Sequence, residues 1–152
     1  LLREAALSKL FLFQDFYMNQ LTQPLAAYVH TRRVGGLIFV AGQGCRDPQT
    51  NSYVGLTMTA EGKVASYDIK SQAHGVLNNI ERALQAEGCN RSHIVDVNVF
   101  LTDMNDFQAM NEVWNEFFKD QAPPTRTTVA VKQLPGLNYI EMKAIAAAPS
   151  AK

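Results

Sequence analysis

The sequence predicts an α+β domain in which two helices pack on one face of a mixed β-sheet. Three observations carry this. Ile69, Ala73, Val76, Leu77, Ile80 and Leu84 recur at helical spacing. Phe107, Met110, Val113, Trp114, Phe117 and Phe118 do the same further along. Around these two stretches stand short runs rich in β-branched residues and bounded by Gly and Pro, which is how strands read. The resulting order, ββ-α-β-α-ββ, puts both helices on one side of the sheet. The sequence provides no third helix for the other side, so further copies of the chain are its expected cover.

Taken in order, residues 1–19 offer a roughly helical apolar face of Leu2, Leu7, Leu10, Phe11 and Phe13. They lack the basic start and small-residue cleavage site of a signal peptide. They read as an N-terminal extension (tag, presequence or extra helix), with 20–152 as one domain. Residues 25–34 read as a strand with a polar end, Gly35-Gly36 as a tight turn, and 37–41 as a buried strand closed by Gly42-Gln43-Gly44. A lone Gly-x-Gly is no nucleotide fingerprint; glycines here suit a turn or the close approach of a ligand. Residues 45–64 are turn-rich and read as irregular. The first helix is expected over 68–87, stopped by Gly88, with His74, Asn78 and Asn79 as solvated or interhelical decoration. A strand over 94–101 follows, with Val95, Val97, Val99 and Leu101 on one face. Asn105 and Gln108 have the spacing of a capping box at the start of the second helix. The aromatic stripe of that helix is core before it is a cofactor box. Past Pro123-Pro124, residues 124–134 and 139–145 read as a β-hairpin broken at Pro135-Gly136.

Composition narrows function. The 152 residues carry fourteen basic and fourteen acidic side chains, with no basic run to attract nucleic acid or an anionic membrane. Cys45 and Cys89 stand apart in no metal or redox spacing, which suggests free thiols in a reducing, cytoplasmic setting. His30, His74 and His93 are scattered singly, so no metal site is expected. No apolar run approaches the ~20 residues of a membrane span.

The chemistry concentrates at the C-terminal end. Arg126, at the mouth of a strand, offers a planar fork for a carboxylate. Glu141, if it faces the same cavity, offers a group to orient or activate water. On spacing alone a rim ion pair between them, worth little, is the favoured reading. The wording of the segment adds to this. Pro124-Thr125-Arg126, the β-branched strand, and Ile140-Glu141-Met142 resemble the C-terminal signature of the Rid (YjgF) family of enamine/imine deaminases. The resemblance runs from about residue 28 to 148 and takes in Phe39-Val40-Ala41-Gly42-Gln43, Ala86-Glu87-Gly88-Cys89, and Asn105-Asp106-Phe107 running into Asn111-Glu112-Val113. The stretch Pro-Thr-Arg-Thr-Thr-Val-Ala-Val is also similar to the 2-aminomuconate deaminase branch, which serves aromatic catabolism.

The resemblance implies a chorismate-mutase-like fold closed into a homotrimer with ligand clefts between subunits. It implies hydrolysis of small carboxylate-bearing enamines or imines to keto acids and ammonia, without a cofactor; 2-iminobutanoate and 2-iminopropanoate are the simplest substrates. Arg126 then holds the substrate carboxylate and Glu141 acts on the attacking water. Tyr28, Asn111 and Trp114 fall at cleft positions, and backbone groups at Gly42 and Thr128 add hydrogen bonds to the ligand. There are departures: Ala41 replaces a frequent serine, Thr128 a cysteine of some members, and Tyr28 lies in Ala27-Tyr28-Val29-His30 instead of Gly-Pro-Tyr-Ser. They bear on substrate range. His30 is either an extra polar group of the cleft or a surface residue. Two rival readings use the same sequence: a non-catalytic small-carboxylate sensor, which needs Arg126 but not Glu141, and a ribonuclease or translation inhibitor, against which the neutral charge weighs.

Overall fold

The computed structural model describes residues 2–150, and the side chains of all of these except 2–4 and 14. Leu2, read as part of an apolar face, therefore has its side chain outside the description. The elements are α1 (Leu2–Met18), β1 (Thr31–Val34), β2 (Leu37–Gln43), β3 (Leu56–Met58), β4 (Val64–Tyr67), α2 (Ile69–Ala86), β5 (Ile94–Leu101), α3 (Phe107–Phe117), β6 (Thr125–Ala130) and β7 (Ile140–Ala147). Five strands form a mixed sheet in the order β1-β2-β7-β5-β6, and β3 pairs with β4 in a small sheet of its own. All pairs in the large sheet are antiparallel except β5 with β6, which α3 connects as a crossover.

Both core helices form where the periodicity puts them. Asp68 caps α2, its carboxylate accepting from the backbone N–H groups of Lys70 and Ser71, a contact worth about 1 kcal/mol. Gly88, at φ +74°, ends the helical path in a conformation that suits glycine. Val76, Leu77, Ile80 and Leu84 of α2 and Met110, Val113, Trp114 and Phe117 of α3 are buried against Ile38, Val40, Val97, Val99, Met142 and Ala144 of the sheet. The opposite face of the sheet is open. Leu37, Phe39 and Val129 stand exposed on it, with Phe100 and Ile145 half-buried beside them. Helix α1 packs along α2, and Leu7, Leu10, Phe11, Leu12, Phe13 and Phe16 remain exposed on it. No described helix is long and apolar enough to cross a membrane.

Several local expectations are corrected. Segments 124–134 and 139–145 do contain strands, but β6 and β7 are not a hairpin, because β5 lies between them. The connecting segment crosses the end of β5, where the Val131 N–H donates to the Leu101 carbonyl and the Thr102 N–H to the Tyr139 carbonyl. Only Thr31–Val34 of the expected 25–34 strand is extended in the sheet. Strand β2 alternates buried and exposed residues instead of being wholly buried. Residues 45–64 hold β3 and the first residue of β4, steadied by Tyr67, whose ring stacks on Tyr139 at 3.7 Å and whose hydroxyl donates to Asp106 at 2.8 Å. Val95 leaves the buried row because the β5–β7 register shifts between Ile94 and Asp96. The Asn105/Gln108 capping box does not form. Asp103 instead accepts from the Asn105 N–H at 2.9 Å and caps a short 3-10 turn, Met104–Asp106, from which α3 continues.

Candidate active site

The site is set by an irregularity in β2. Its register with β7 shifts between Val40 and Gln43, so one extra residue is accommodated around Ala41 and Gly42. Glycine at 42 leaves room for Glu141 in this position: a Cβ would fall onto its carboxylate, with the carboxylate carbon 3.2 Å away. The same device repeats two residues on, where a Cβ on Gly44 would meet the amide of Asn138 at 2.6 Å. The glycines thus let two side chains from the β7 side lie flat against the end of β2. Over them a cavity of about 340 Å³ opens, bordered by the 22–30 strap, with Tyr28, His30, Gly42, Arg46, Asn138 and Glu141 on its walls.

Glu141 points into this cavity without a hydrogen bond or ion pair among the described residues, and burial pushes its pKa above the ordinary carboxylate value. Asn138 is fixed, accepting from the Cys45 N–H at 2.9 Å and donating to the Pro135 carbonyl at 2.8 Å. His30 is buried and belongs to the cavity, which resolves its two readings. Its Nε2 lies 2.6 Å from the Thr22 carbonyl and therefore carries the proton, leaving Nδ1 to accept from Gln43 at 3.3 Å. The histidine ties the strap to β2. Tyr28 is largely exposed, its hydroxyl accepting from the Leu25 N–H at 3.4 Å.

The remaining sequence-predicted residues form a second group. Arg126 registers with Val97 and, across β5, with Ala144, so it faces the helices. Its guanidinium lies 4.8 Å from the Trp114 ring centre, 5.6 Å from that of Phe107 and 3.9 Å from the Met110 sulfur. No carboxylate pairs with it among the described residues, and burial lowers its pKa from the ordinary value. Thr128, two residues on and on the same side, has a buried hydroxyl oxygen with no hydrogen-bond partner. Asn111 is half-buried on α3, one turn before Trp114.

Glu141 registers with Phe100 and Val129 and so faces the open side of the sheet, opposite to Arg126. Within one chain the two groups share neither a cavity nor an ion pair, and the rim ion pair favoured by spacing alone does not exist. One chain gathers Tyr28, Gly42 and Glu141 at one place and Asn111, Trp114, Arg126 and Thr128 at another. Arg46 and Asn138 escaped the sequence reading, and only the bulge and the Gly44 contact reveal them. Among the described residues no cluster of His, Cys, Asp and Glu could hold a metal ion.

A family profile described as Endoribonuclease L-PSP matches residues 18–148. A RutC family protein of Pyrococcus abyssi is 38% identical over 130 residues, spanning 86% of this chain and 93% of its own. A protein of Dermatophagoides farinae named 2-iminobutanoate/2-iminopropanoate deaminase is 32% identical over 124 residues, spanning 81% and 87%. Among solved structures, E. coli TdcF with bound serine superposes with a TM-score of 0.75 at 30% identity, covering 86% of this chain and 95% of that one.

Proposed function

The chain belongs to the Endoribonuclease L-PSP family, also called Rid, YjgF or RutC, and from that premise we propose that it is a cytoplasmic enamine/imine deaminase. In this reading it converts reactive nitrogen intermediates of small carboxylic acids to keto acids and ammonia. Residues 1–19 are an extension that leaves the chemistry to 20–152. The observation that carries the reading is a pair of unanswered charges: a free carboxyl in a cavity on the open face of the sheet, and a free guanidinium with an unsatisfied hydroxyl on the helical side. Each is half of a site. A second copy placing its β6–α3 edge over the open face would join them and cover Leu37, Phe39 and Val129 as well. Three copies closing in this way give the trimer expected from the sequence. Light scattering at micromolar concentration should return three times the chain mass, and a stable monomer would remove the shared site.

In such a cleft Arg126 takes the substrate carboxylate in its fork. The enamine is protonated at carbon, giving the iminium. Water adds to the iminium carbon, the carbinolamine expels ammonia, and the keto acid remains. Glu141, its pKa raised by burial, suits the proton steps: as an acid it supplies the carbon, and as the resulting carboxylate it takes a proton from the attacking water. It then passes that proton to the leaving nitrogen while taking up the carbinol O–H proton. Holding water and substrate in contact supplies much of the remaining acceleration. The deaminase name of the D. farinae relative and the amino acid bound by TdcF agree with a small carboxylate ligand. A ribonuclease reading lacks support in charge, since fourteen cations are balanced by fourteen anions.

The test is ammonia release from freshly generated 2-aminoacrylate, 2-iminobutanoate, branched imino acids and 2-aminomuconate. Acceleration of at least one member above buffer is expected. Binding of the corresponding keto acids with no acceleration of any member would make the protein a carboxylate sensor.

A further inference from the structure

Arg46 stands on the wall shared by the Glu141 cavity and a second depression against α2. Its main chain is pinned by the buried Asn79 of α2, whose amide donates to the carbonyls of Gly44 at 2.9 Å and Arg46 at 2.8 Å. Its side chain is held as well: Nη1 donates to Asn51 Oδ1 at 2.8 Å and Nη2 to the Gln23 carbonyl at 2.9 Å. Asn51 sits at φ +59°, the only non-glycine in the left-handed region among the described residues. Both tethers are neutral. No carboxylate lies within ion-pair distance of Arg46 among the described residues, and two tethers leave three of its five N–H groups uncommitted. The cavity wall therefore includes an arginine held by two neutral tethers and without an ion pair among the described residues, with N–H groups left to receive a carboxylate.

We propose that Arg46 is a substrate-binding, specificity-determining residue, and that the cavity takes enamines or imines of dicarboxylic acids, with the distal carboxylate on Arg46. This rests on the deaminase reading for its chemistry and goes beyond it in assigning a residue to a second substrate carboxylate. Arg126 already serves the carboxylate next to the reacting carbon and lies on the other side of the sheet. A monocarboxylic substrate would leave Arg46 unanswered; a dicarboxylic one answers both.

Arg46 also ties loop 47–52 to the 22–30 strap, so the decisive readout is one that a tether alone would not move. Calorimetric titration with the inert 2-oxo acids 2-oxobutanoate and 2-oxoglutarate measures the preference for a second carboxylate directly. Wild-type protein should bind 2-oxoglutarate tighter by about tenfold or more, the size of one charge-assisted hydrogen bond. In Arg46→Met the ratio should fall to near one, and Arg46→Lys, which keeps the charge and can still donate to the Gln23 carbonyl, should fall between. A wild-type ratio near one overturns the proposal whether or not the variants fold, as does a preference that survives in a folded Arg46→Met. If no enamine or imine is turned over yet the Arg46-dependent preference is found, the deaminase reading fails and this proposal stands. If monocarboxylic imines are turned over and no such preference exists, the reverse holds.

Discussion

Arg126→Lys should lower kcat/KM about 10- to 100-fold on any carboxylate-bearing imine that the protein accepts, with the assembly and the fold intact. The charge survives this substitution and the fork does not. A guanidinium offers two parallel N–H groups to the two carboxylate oxygens, and an ammonium offers a point charge. One charge-assisted hydrogen bond is worth about 1.5–3 kcal/mol, which sets the range of the loss. The planar group also rests over Trp114 and Phe107, at 4.8 and 5.6 Å, and lysine would give up part of that stacking. Losing the stacking costs about 1–2 kcal/mol of stability, too little to unfold the domain. Steady-state turnover and light scattering on the same sample check both halves. Near-normal turnover would make Arg126 a structural plate under α3, and the carboxylate would then need another partner.

The sequence exposes those parts of the fold whose signals are local. Asp68, the apolar row from Ile69 to Leu84, and Gly88 are a cap, a face and a stop within one segment, and α2 forms between them. Strand β5 matches its expected bounds because a run of mostly β-branched and apolar residues spans them, with Val97, Val99 and Leu101 alternating inward. What fails is whatever depends on a third element. Two strand-like runs separated by Pro135-Gly136 look like a hairpin, and nothing in either run announces that β5 inserts between them. The same blindness hides the division of the site. Residues 126 and 141 read as neighbours across a hairpin, but their true registers with β5 place them on opposite faces. Strands β3 and β4 are too short to stand out among turn residues. Glycines 42 and 44 were legible as places of close approach, but what approaches them, Glu141 and Asn138, was not. Arg46 sits in a turn-rich stretch where an arginine ordinarily means a solvated surface. Its role in the cavity depends on Asn79, Asn51 and Gln23, none of which lies close to it in sequence except Asn51.

Glu141→Gln separates catalysis from binding. Glutamine keeps the shape that lies against Gly42 and loses the ability to exchange a proton. Removal of a general acid–base typically costs about 10²–10⁴-fold in rate, so kcat should fall by that order while binding of an inert 2-keto acid changes much less. The pH profile gives an independent check. Because burial raises the pKa of Glu141, the carboxylate that takes a proton from water forms only above the ordinary glutamate value of 4.5. With an imine substrate, which needs no proton at carbon, the rising limb of kcat/KM should therefore lie on the alkaline side of that value in the native protein and vanish in Glu141→Gln. Stability runs in the opposite direction. The native state holds this proton more tightly than the unfolded chain does, so the group's contribution is full below pH 4.5 and declines as pH rises through the raised native value. Urea unfolding of the native protein and Glu141→Gln at pH 4 and pH 7 should show the variant gaining relative stability at the higher pH. A variant with unchanged kcat and no altered pH limb would take the water-activating role from Glu141. Loss of keto-acid binding together with kcat would instead make the carboxyl a support for the cleft, since a group that acts only on water has no reason to hold the ligand.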